Sequence, residues 1–495
     1  MNTKNQYLAW IVTLILLSPV SALAVDNITD SVVKIFTSSN RPDYRRPWQT
    51  KGTQTFTGSG CIIEGKRILT NAHVVSDHTF IQVKRYGDPK KYIATVEAIG
   101  HECDLAVLSV KNELFFNNIE PLQFGSLPNL RDSITVIGYP QGGNKLSTTV
   151  GVISRIELIP YSLSSRRLLA VQIDAAINSG NSGGPVVQDG NLIGIAMQSF
   201  TRGQNIGYII PMPIIRHFFD DINDGKFDGF PRLGIGFDGT ENSALREYYK
   251  IGSLDGGVLI SKVWPFSPAD AYLREGDVLL ELDGIPIGED GTFKFRDDER
   301  LSMDYLITKK QVNDEIKINL MRDGVIMQLT IPLTPVTSLV PRPYHFKTPP
   351  YYIYGGLVFT VLSSDLLRSW GRWWWEKAPL DLNYYLLGKG RINEERRKEI
   401  VVLLSTLPDD INIGYHDFGK TIVTDINGKS FDSFMEFILL LDTSKKNEEY
   451  TIIQTERKSR IILNNENIDR IDEDIMKRNS IPSRCSSDVC GWLDR

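Results

Sequence analysis

The sequence predicts a mainly β protein built from several domains. Its 495 residues are too many for one hydrophobic core, so about three domains are expected. From residue 25 to about residue 225, short runs of β-branched residues alternate with turn signals, which is typical of β-barrels. Apolar residues make up 41% of the chain and charged residues 23%, as in ordinary globular proteins. The net charge of −5 gives no reason to expect nucleic-acid binding.

The first 24 residues have the pattern of a signal peptide. Lys4 supplies the positive charge near the start, and the apolar run 8–20 is too short to cross a bilayer comfortably. Ala22-Leu23-Ala24 is a small-x-small cleavage site. We therefore expect an exported protein, in the periplasm or an equivalent extracytoplasmic compartment. An uncleaved anchor is the alternative.

The strand-like runs follow one another at short intervals after this leader. They include residues 31–36, 81–83, 94–96, 134–139 and 192–195. Residues 214–219 are predicted to form a short helix that ends the region. The polar, glycine-containing stretch 220–231 is a predicted linker.

A serine lies in a run of small residues near the middle of the chain, Asn178-Ser179-Gly180-Asn181-Ser182-Gly183-Gly184-Pro185. Glycines permit a tight turn because they adopt backbone angles that other residues avoid. Such a turn leaves the Ser182 hydroxyl bare and directs several N–H groups into one small space. An oxyanion formed during acyl transfer needs that arrangement of donors.

A base and an orienting acid lie upstream. His73 follows an apolar run in Thr70-Asn71-Ala72-His73-Val74, and Asp104 precedes the apolar strand 105–108. Taken singly, each motif also has a purely structural interpretation: the Ser182 run as a glycine-rich loop, His73 as a structural histidine and Asp104 as an acid at the end of a strand. Together, the order His73, Asp104, Ser182 is that of chymotrypsin-type double barrels. His78 and His101 compete as the base, but neither has a similar setting, and both are predicted to be surface residues.

These motifs resemble the HtrA/Deg family of serine proteases. The runs that carry the resemblance are GSGCII (58–63), TNAHVV (70–75), DLAVL (104–108), GNSGGPVV (180–187) and GYIIP (207–211). The likeness covers most of the chain after residue 25 and is closest to the plant-type Deg branch. It implies a chymotrypsin-like double β-barrel protease domain (25–225) followed by two PDZ-like α+β domains.

The resemblance also implies roles for the site residues. Ser182 is the nucleophile, His73 the base and Asp104 the group that orients the imidazole. The oxyanion hole comprises Gly180, Asn181 and Ser182, with the N–H groups of Gly180 and Ser182 as donors and Asn181 setting the turn. No cofactor and no metal are expected.

Residues 230–337 resemble a PDZ domain. Leu233, Gly234, Ile235 and Gly236 match the loop that holds a peptide's terminal carboxylate with backbone N–H groups. The segments 263–269 and 273–284 match further family motifs. We expect this domain to bind peptide C-termini by adding the peptide as a strand.

Residues 345–478 resemble a second, divergent PDZ-like domain. The resemblance is carried by the runs 354–359, 412–415 and 422–431, but the GD-x-x motif of the first domain is missing. Peptide binding is therefore in doubt, and a role in assembly is the alternative. Trp370 and Trp373-Trp374-Trp375 fit a membrane-surface or subunit contact, or equally a local core.

The four cysteines fit an exported protein. Cys485 and Cys490 are close in the polar tail 479–495, and we predict a disulfide between them. Cys61 and Cys103 lie in apolar contexts and are predicted to be buried free thiols.

The predicted function is an ATP-independent serine endopeptidase that degrades unfolded or damaged exported proteins. No nucleotide-binding loop is found in the sequence. Family resemblance suggests a homo-oligomer built from trimers. The alternatives are a PDZ-based chaperone or holdase, and a regulated protease of one specific substrate.

The expected walls of the specificity pocket carry no charge. They are the segments 175–177 and 193–197, and the nearest acid, Asp174, lies two residues before the family's pocket-base position at Ala176. A pocket for Lys or Arg would need a buried carboxylate. We therefore predict cleavage after small or medium apolar residues such as Val, Ala, Ile or Leu.

Overall fold

The computed structural model describes residues 28–493 apart from a set of short gaps. The gaps are residues 141–142, 144, 179, 200–205, 253, 337, 342–344, 346 and 390–396. The predicted leader therefore lies outside the described residues.

Six strands close the first barrel, in the order β1-β2-β3-β6-β5-β4. They are β1 (Val32–Pro42), β2 (Thr50–Ile63), β3 (Arg67–Thr70), β4 (His78–Arg85), β5 (Tyr92–Gly100) and β6 (Leu105–Ser109). One helical turn, α1 (Ala72–Val75), follows β3. Val, Ile and Leu side chains fill the interior because successive residues of a strand face opposite sides.

Six further strands close the second barrel, in the order β10-β11-β12-β9-β8-β7. They are β7 (Ser133–Gly138), β8 (Ser147–Pro160), β9 (Arg167–Ile173), β10 (Pro185–Gln188), β11 (Asn191–Ser199) and β12 (Gly207–Pro211). Helix α2 (Met212–Asp221) then ends the region, which confirms the helix predicted at 214–219.

An α+β domain follows the linker. Its strands are β13 (Ile235–Asp238), β14 (Val258–Val263), β15 (Val278–Leu282), β16 (Ile285–Pro286), β17 (Thr292–Arg296), β18 (Glu299–Ser302), β19 (Glu315–Arg322) and β20 (Val325–Pro332). Its helices are α3 (Ser243–Tyr248) and α4 (Asp304–Thr308). The sheet order is β13-β14-β15-β19-β20, β16 pairs with β15, and β17 and β18 form a separate hairpin.

A second α+β domain is built on one further sheet, in the order β21-β22-β23-β24-β26-β27. Its strands are β21 (Tyr351–Tyr354), β22 (Leu357–Val361), β23 (Val401–Thr406), β24 (Thr421–Ile426), β25 (Lys429–Ser430), β26 (Tyr450–Thr455) and β27 (Arg460–Asn464). Its helices are α5 (Ser364–Arg368), α6 (Trp374–Lys377), α7 (Leu380–Tyr384), α8 (Phe434–Asn447), α9 (Ile468–Arg478) and α10 (Ser487–Leu493).

The tryptophans of this second α+β domain divide between core and surface. Trp370 and Trp374 pack against its core, whereas 40% of Trp373 and 46% of Trp375 stay exposed. The local-core interpretation therefore holds for two of the four.

The hairpin of β1 and β2 reaches across to this domain. The Tyr44 hydroxyl donates to the Asp365 carboxylate at 2.9 Å, and the Trp48 and Tyr351 ring centroids are 5.9 Å apart. The Arg45 guanidinium lies over the Trp370 ring at 4.8 Å. The first and last domains thus share a packed contact.

The cysteine predictions are confirmed. Cys485 and Cys490 form a disulfide, and Cys61 and Cys103 are buried free thiols. Burial raises the pKa of both thiols.

In the described ranges, every helix is too short or too polar to cross a membrane. The same residues include no group of three or more His, Cys, Asp and Glu side chains placed to hold a metal ion.

Candidate active site

The strand pairing of the first barrel brings His73 and Asp104 together. β3 and β6 are neighbours, with Thr70 opposite Ala106, so α1 and the turn before β6 lie at the same edge. His73 Nδ1 is 2.8 Å from Asp104 Oδ2, and the His73 backbone N–H donates to Asp104 Oδ1 at 2.9 Å. The carboxylate thus fixes both the ring and the backbone of the histidine.

Asp104 is held in an unusual conformation. It is 1% exposed, and its φ of 57° lies in the left-handed region, which Asp tolerates better than most residues. The Asn71 side-chain amide donates to its carbonyl at 3.0 Å. These contacts keep the carboxylate aimed at the imidazole.

The net effect of this environment is to raise the pKa of His73 above its usual value. Burial lowers the pKa, but the charge of Asp104 and its hydrogen bond act in the opposite direction and prevail. Such an imidazole can accept a proton readily, as a general base must.

The serine lies on the predicted tight turn. Asn181 N–H donates to Asn178 O at 3.0 Å, and Gly184 N–H donates to Asn181 O at 2.8 Å. Gly183 has a φ of +83°, and a Cβ there would lie 2.2 Å from Ser59 O and 2.3 Å from Thr70 Oγ1. Only glycine fits, because the turn packs directly against the strands that lead to His73.

The Ser182 hydroxyl faces the wall of the cleft. It donates to Met197 O at 3.2 Å, and within the described residues no hydrogen bond joins it to His73. The structure therefore forms the His73–Asp104 pair but leaves the serine turned away from it. Catalytic hydrogen bonds are often incomplete before substrate binds.

The predicted oxyanion donors point to no other group. In the described part of the chain, the N–H groups of Gly180 and Ser182 have no protein acceptor. Gly180 has a φ of 99°, which favours glycine. The Asn181 side chain is 2% exposed, and its Oδ1 is buried without a partner. Ser179 lies outside the described residues.

Ser59 holds this turn, and the sequence reasoning did not identify it. Its hydroxyl donates to Gly180 O at 2.7 Å and accepts from Tyr139 N–H at 2.8 Å. Its backbone N–H donates to Ser182 O at 2.9 Å. The sequence feature that could have identified Ser59 is the run Gly58-Ser59-Gly60, because three small residues there interrupt a strand that is otherwise rich in β-branched side chains.

The walls of the expected specificity pocket are apolar. Ala175 and Met197 are 2% exposed, and Ile193 and Ile195 are equally buried. The Asp174 carboxylate accepts a hydrogen bond from the Val152 N–H at 2.6 Å and is therefore bound to the backbone of β8.

The competing histidines are not surface residues, which corrects that prediction. His101 is half-buried and stacks on His345, with ring centroids 3.6 Å apart. Burial, then the charge of His345, lowers the pKa of His101 to about 3. His78 is also half-buried, and its Nδ1 lies 2.8 Å from Val75 O.

The predicted carboxylate loop of the first α+β domain leads into its edge strand. Leu233 is buried, Gly234 has a φ of +83°, and β13 begins at Ile235. A Cβ on Gly234 would lie 2.1 Å from Ser267 Cβ, and one on Gly236 would lie 3.1 Å from Lys262 Cβ. A larger residue at 234 would therefore disturb the fold as well as the loop, so such a variant does not isolate peptide binding.

Glu102, two residues before Asp104, joins the barrels to the linker. Its carboxylate is 2.8 Å from Arg166 Nε, accepts the Phe230 N–H at 2.8 Å and is 3.3 Å from Arg232. Arg166 also donates to the carbonyls of Phe230 and Pro231. This contact was not predicted from sequence.

Comparisons with known proteins agree with this architecture. The trypsin-like peptidase domain family matches residues 58–195, and PDZ domain families match residues 231–333 and 340–488. "Protease Do-like 4, mitochondrial" of Arabidopsis thaliana is 38% identical over 465 residues, which are 94% of this chain and 86% of that protein. The chain belongs to the HtrA/Deg family of serine proteases.

Other relatives give the same result for this HtrA/Deg protease. "Protease Do-like 2, chloroplastic" of Arabidopsis thaliana is 40% identical over 466 residues, covering 93% of this chain and 75% of that one. The solved structure of the HtrA-type protease AlgW with tripeptide has a TM-score of 0.50 and 25% identity, and covers 63% of this chain and 95% of that one. The protein is a serine endopeptidase with a double β-barrel protease domain followed by two PDZ domains.

Proposed function

We propose that this protease is an ATP-independent endopeptidase that degrades unfolded or damaged proteins through a triad of His73, Asp104 and Ser182. The observation that carries the proposal is the 2.8 Å contact of His73 Nδ1 with the buried Asp104 carboxylate, at the cleft where the Ser182 turn packs.

In the proposed mechanism, the Ser182 hydroxyl leaves Met197 O and turns toward His73 Nε2. His73 takes the hydroxyl proton as Ser182 attacks the scissile carbonyl, and later gives that proton to the leaving amine. Asp104 holds the Nδ1–H tautomer and stabilises the imidazolium. The raised pKa of His73 supports this role.

The N–H groups of Gly180 and Ser182 are the proposed donors to the oxyanion, with Asn181 setting the turn. Their lack of acceptors in the described residues supports this assignment. Removing one such donor commonly costs on the order of 3 kcal/mol in the barrier.

The first PDZ domain is the proposed capture site for peptide C-termini. The loop Leu233, Gly234, Ile235 and Gly236 would hold the carboxylate, and β13 would pair with the peptide. The edge position of β13 supports this role.

Cleavage after Val, Ala, Ile or Leu is the proposed specificity. The apolar walls at 175–177 and 193–197 and the engagement of Asp174 with Val152 support it. Selectivity among these residues should be modest, because one methylene is worth about 1–3 kcal/mol in such a pocket.

Casein degradation without nucleotide tests the activity. We expect the parent chain to cleave casein and a serine-reactive phosphonate to stop it. Ser182→Ala should abolish cleavage, whereas the control Ser154→Ala, on the exposed face of β8, should not. Cleavage by Ser182→Ala at the parent rate would refute the triad. Capture of casein without cleavage by the parent chain would favour a holdase.

The proposed location is an exported compartment such as the periplasm. The leader pattern of residues 1–24 and the Cys485–Cys490 disulfide support it. N-terminal sequencing of the mature protein should find Val25 first, and an intact Met1 would contradict cleavage.

The proposed assembly is a trimer-based homo-oligomer, as family membership suggests. Light scattering of the full chain should give three times the mass of one chain or a multiple of that value. A monomer mass at working concentration would refute it.

A further inference from the structure

One connection of the second PDZ domain, between β22 and β23, carries a group of exposed apolar side chains. Besides the exposed Trp373 and Trp375, whose ring centroids are 5.3 Å apart, it presents Leu380 (83% exposed), Tyr384 (53%) and Leu387 (57%). Single exposed apolar residues are ordinary, but a contiguous group of them marks an interaction site. We call these five residues the aromatic–leucine patch.

The members of the patch lie on adjoining surfaces. Leu380 and Tyr384 are four positions apart on α7, and Leu387 follows three positions later in the turn Tyr385–Lys389, so the three side chains share one face. The side-chain amide of Asn383, the neighbour of Tyr384, donates to Trp375 O at 3.0 Å. This bond places the end of α6 alongside α7, so the rings of α6 extend the apolar face of α7.

The opposite side of the same segment is firmly packed. Leu382 and Tyr385 are buried in one core with Trp374. The Tyr385 hydroxyl also donates to the Glu456 carboxylate at 2.8 Å. A helix that is apolar all round is normally buried all round. The outer side lacks such a cover among the residues that the structure describes, and the packed inner side leaves no room for the exposed rings to turn inward.

Three cations border the patch. The Arg372 guanidinium lies 5.4 Å from the centre of the Trp373 ring, and Arg45 of the β1–β2 hairpin lies over Trp370. Lys377 is exposed at the end of α6. In the described ranges, none of the three cations forms an ion pair with an acidic side chain. Their charges are therefore available to an anionic partner.

The acids of the same helices do not cancel this charge. Asp381 is already paired with Arg457 at 2.9 Å, which leaves Glu376 as the unpaired acid of α6 and α7. The border of the patch is thus locally positive, although the chain as a whole carries a net charge of −5.

The surface of an anionic bilayer matches this combination of groups. Trp and Tyr favour the boundary between headgroups and acyl chains, where the ring is buried and its polar atom stays hydrated. Leu side chains enter the acyl region, and Lys and Arg extend to the lipid phosphates. A second copy of the chain matches less well, because a symmetric contact of patch with patch would bring the positive borders together.

We propose that the aromatic–leucine patch docks this protease on the surface of an anionic lipid bilayer. The patch enters only the headgroup boundary, as the apolar face of an interfacial helix does. This inference does not depend on the catalytic triad, and its test does not measure activity.

Sedimentation with lipid vesicles tests the proposal on the chain carrying Ser182→Ala, which prevents self-cleavage. Residues 1–24 are removed, because their apolar run 8–20 would itself bind lipid. The vesicles contain equal parts of phosphatidylglycerol and phosphatidylcholine, and vesicles of phosphatidylcholine alone serve for comparison. We expect the chain to sediment with the anionic vesicles and its tryptophan fluorescence to shift to shorter wavelength. Failure to bind them, or equal binding to both kinds, would overturn the proposal.

A matched pair of variants locates the contact. Leu380→Glu places a charge in the patch, whereas the control Ile413→Glu places one on a side chain that is 68% exposed in the connection at the opposite end of β23. We expect Leu380→Glu to weaken binding to the anionic vesicles at least about tenfold and Ile413→Glu to leave it unchanged. Equal effects of the two variants would refute the assignment to this patch.

Two further measurements separate the anionic surface from other occupants. Arg372→Gln and Lys377→Gln should each weaken binding to the anionic vesicles about fivefold, and added salt should weaken it further. Unchanged binding in both variants would exclude recognition of lipid charge. Without vesicles, light scattering should give Leu380→Glu the same mass as its parent. A smaller assembly would assign the patch to a contact between copies of the chain and overturn the proposal.

Discussion

Removing the Glu102 carboxylate should destabilise the joint between the barrels and the linker. The Arg166 side chain is 8% exposed and Glu102 is 20% exposed, so Glu102→Ala leaves a buried guanidinium without its counter-ion. It also removes the acceptor of the buried Phe230 N–H.

The magnitude follows from these contacts. Breaking a buried ion pair by deleting one partner costs about 3–5 kcal/mol. Arg166 keeps the carbonyls of Phe230 and Pro231 at 2.7 and 3.0 Å, and Glu102 is partly exposed. We therefore expect Glu102→Ala to lower the free energy of unfolding by about 3 kcal/mol, the lower end of that range. Glu102→Gln keeps an acceptor and should lose about half of that.

Urea unfolding in the Ser182→Ala background, which prevents self-cleavage, measures the effect. The matched control is Glu113→Ala, which removes the exposed pair of Glu113 with Lys66 at 3.0 Å and should cost about 0.5 kcal/mol or less. If Glu102→Ala is no more destabilising than Glu113→Ala, the buried network does not hold the joint.

Three further outcomes are expected. Because the His73 pKa is raised, casein cleavage should fall as pH drops through a midpoint above about 6.5; a midpoint below 6 would contradict the Asp104 effect. The same raised pKa stabilises the fold below the unfolded value and loses that effect as pH rises through the folded value. Ser59→Ala should lower the rate of cleavage and destabilise the chain by about 1–3 kcal/mol, because it leaves the Gly180 carbonyl and the Tyr139 N–H unpaired; unchanged kinetics and unfolding would exclude its role in holding the turn. Mass spectrometry of cut sites in an unfolded protein should show a majority after Val, Ala, Ile and Leu, and a majority after Lys, Arg, Asp or Glu would mean that the pocket is built differently.

Features set by local sequence were predictable. The helix at 214–219, the strands of the barrels and the Cys485–Cys490 disulfide follow from periodicity, turn residues and close spacing. The neighbourhood of His73 and Asp104 was expected because the order of the three motifs matches that of chymotrypsin-type double barrels, as the family resemblance also implies.

Features set by contacts between distant segments were not predictable. Glu102 pairs with Arg166 across 64 positions of chain, and nothing in the local pattern of either residue signals it. His101 was expected at the surface, yet it stacks on His345 from the start of the second PDZ domain. The run at 354–359 carried the family resemblance, but only the tertiary structure shows that Tyr351–Tyr354 pairs antiparallel with Leu357–Val361.

The packing of the β1–β2 hairpin against the second PDZ domain has a consequence for synthesis. Tyr44 must meet Asp365, which follows it by 321 residues. At about 5–20 residues per second, roughly 16–64 s pass between the emergence of the two. Throughout that interval the Trp48 ring lacks the contact with Tyr351, so the first domain exposes part of this apolar surface until the C-terminal third of the chain has been made.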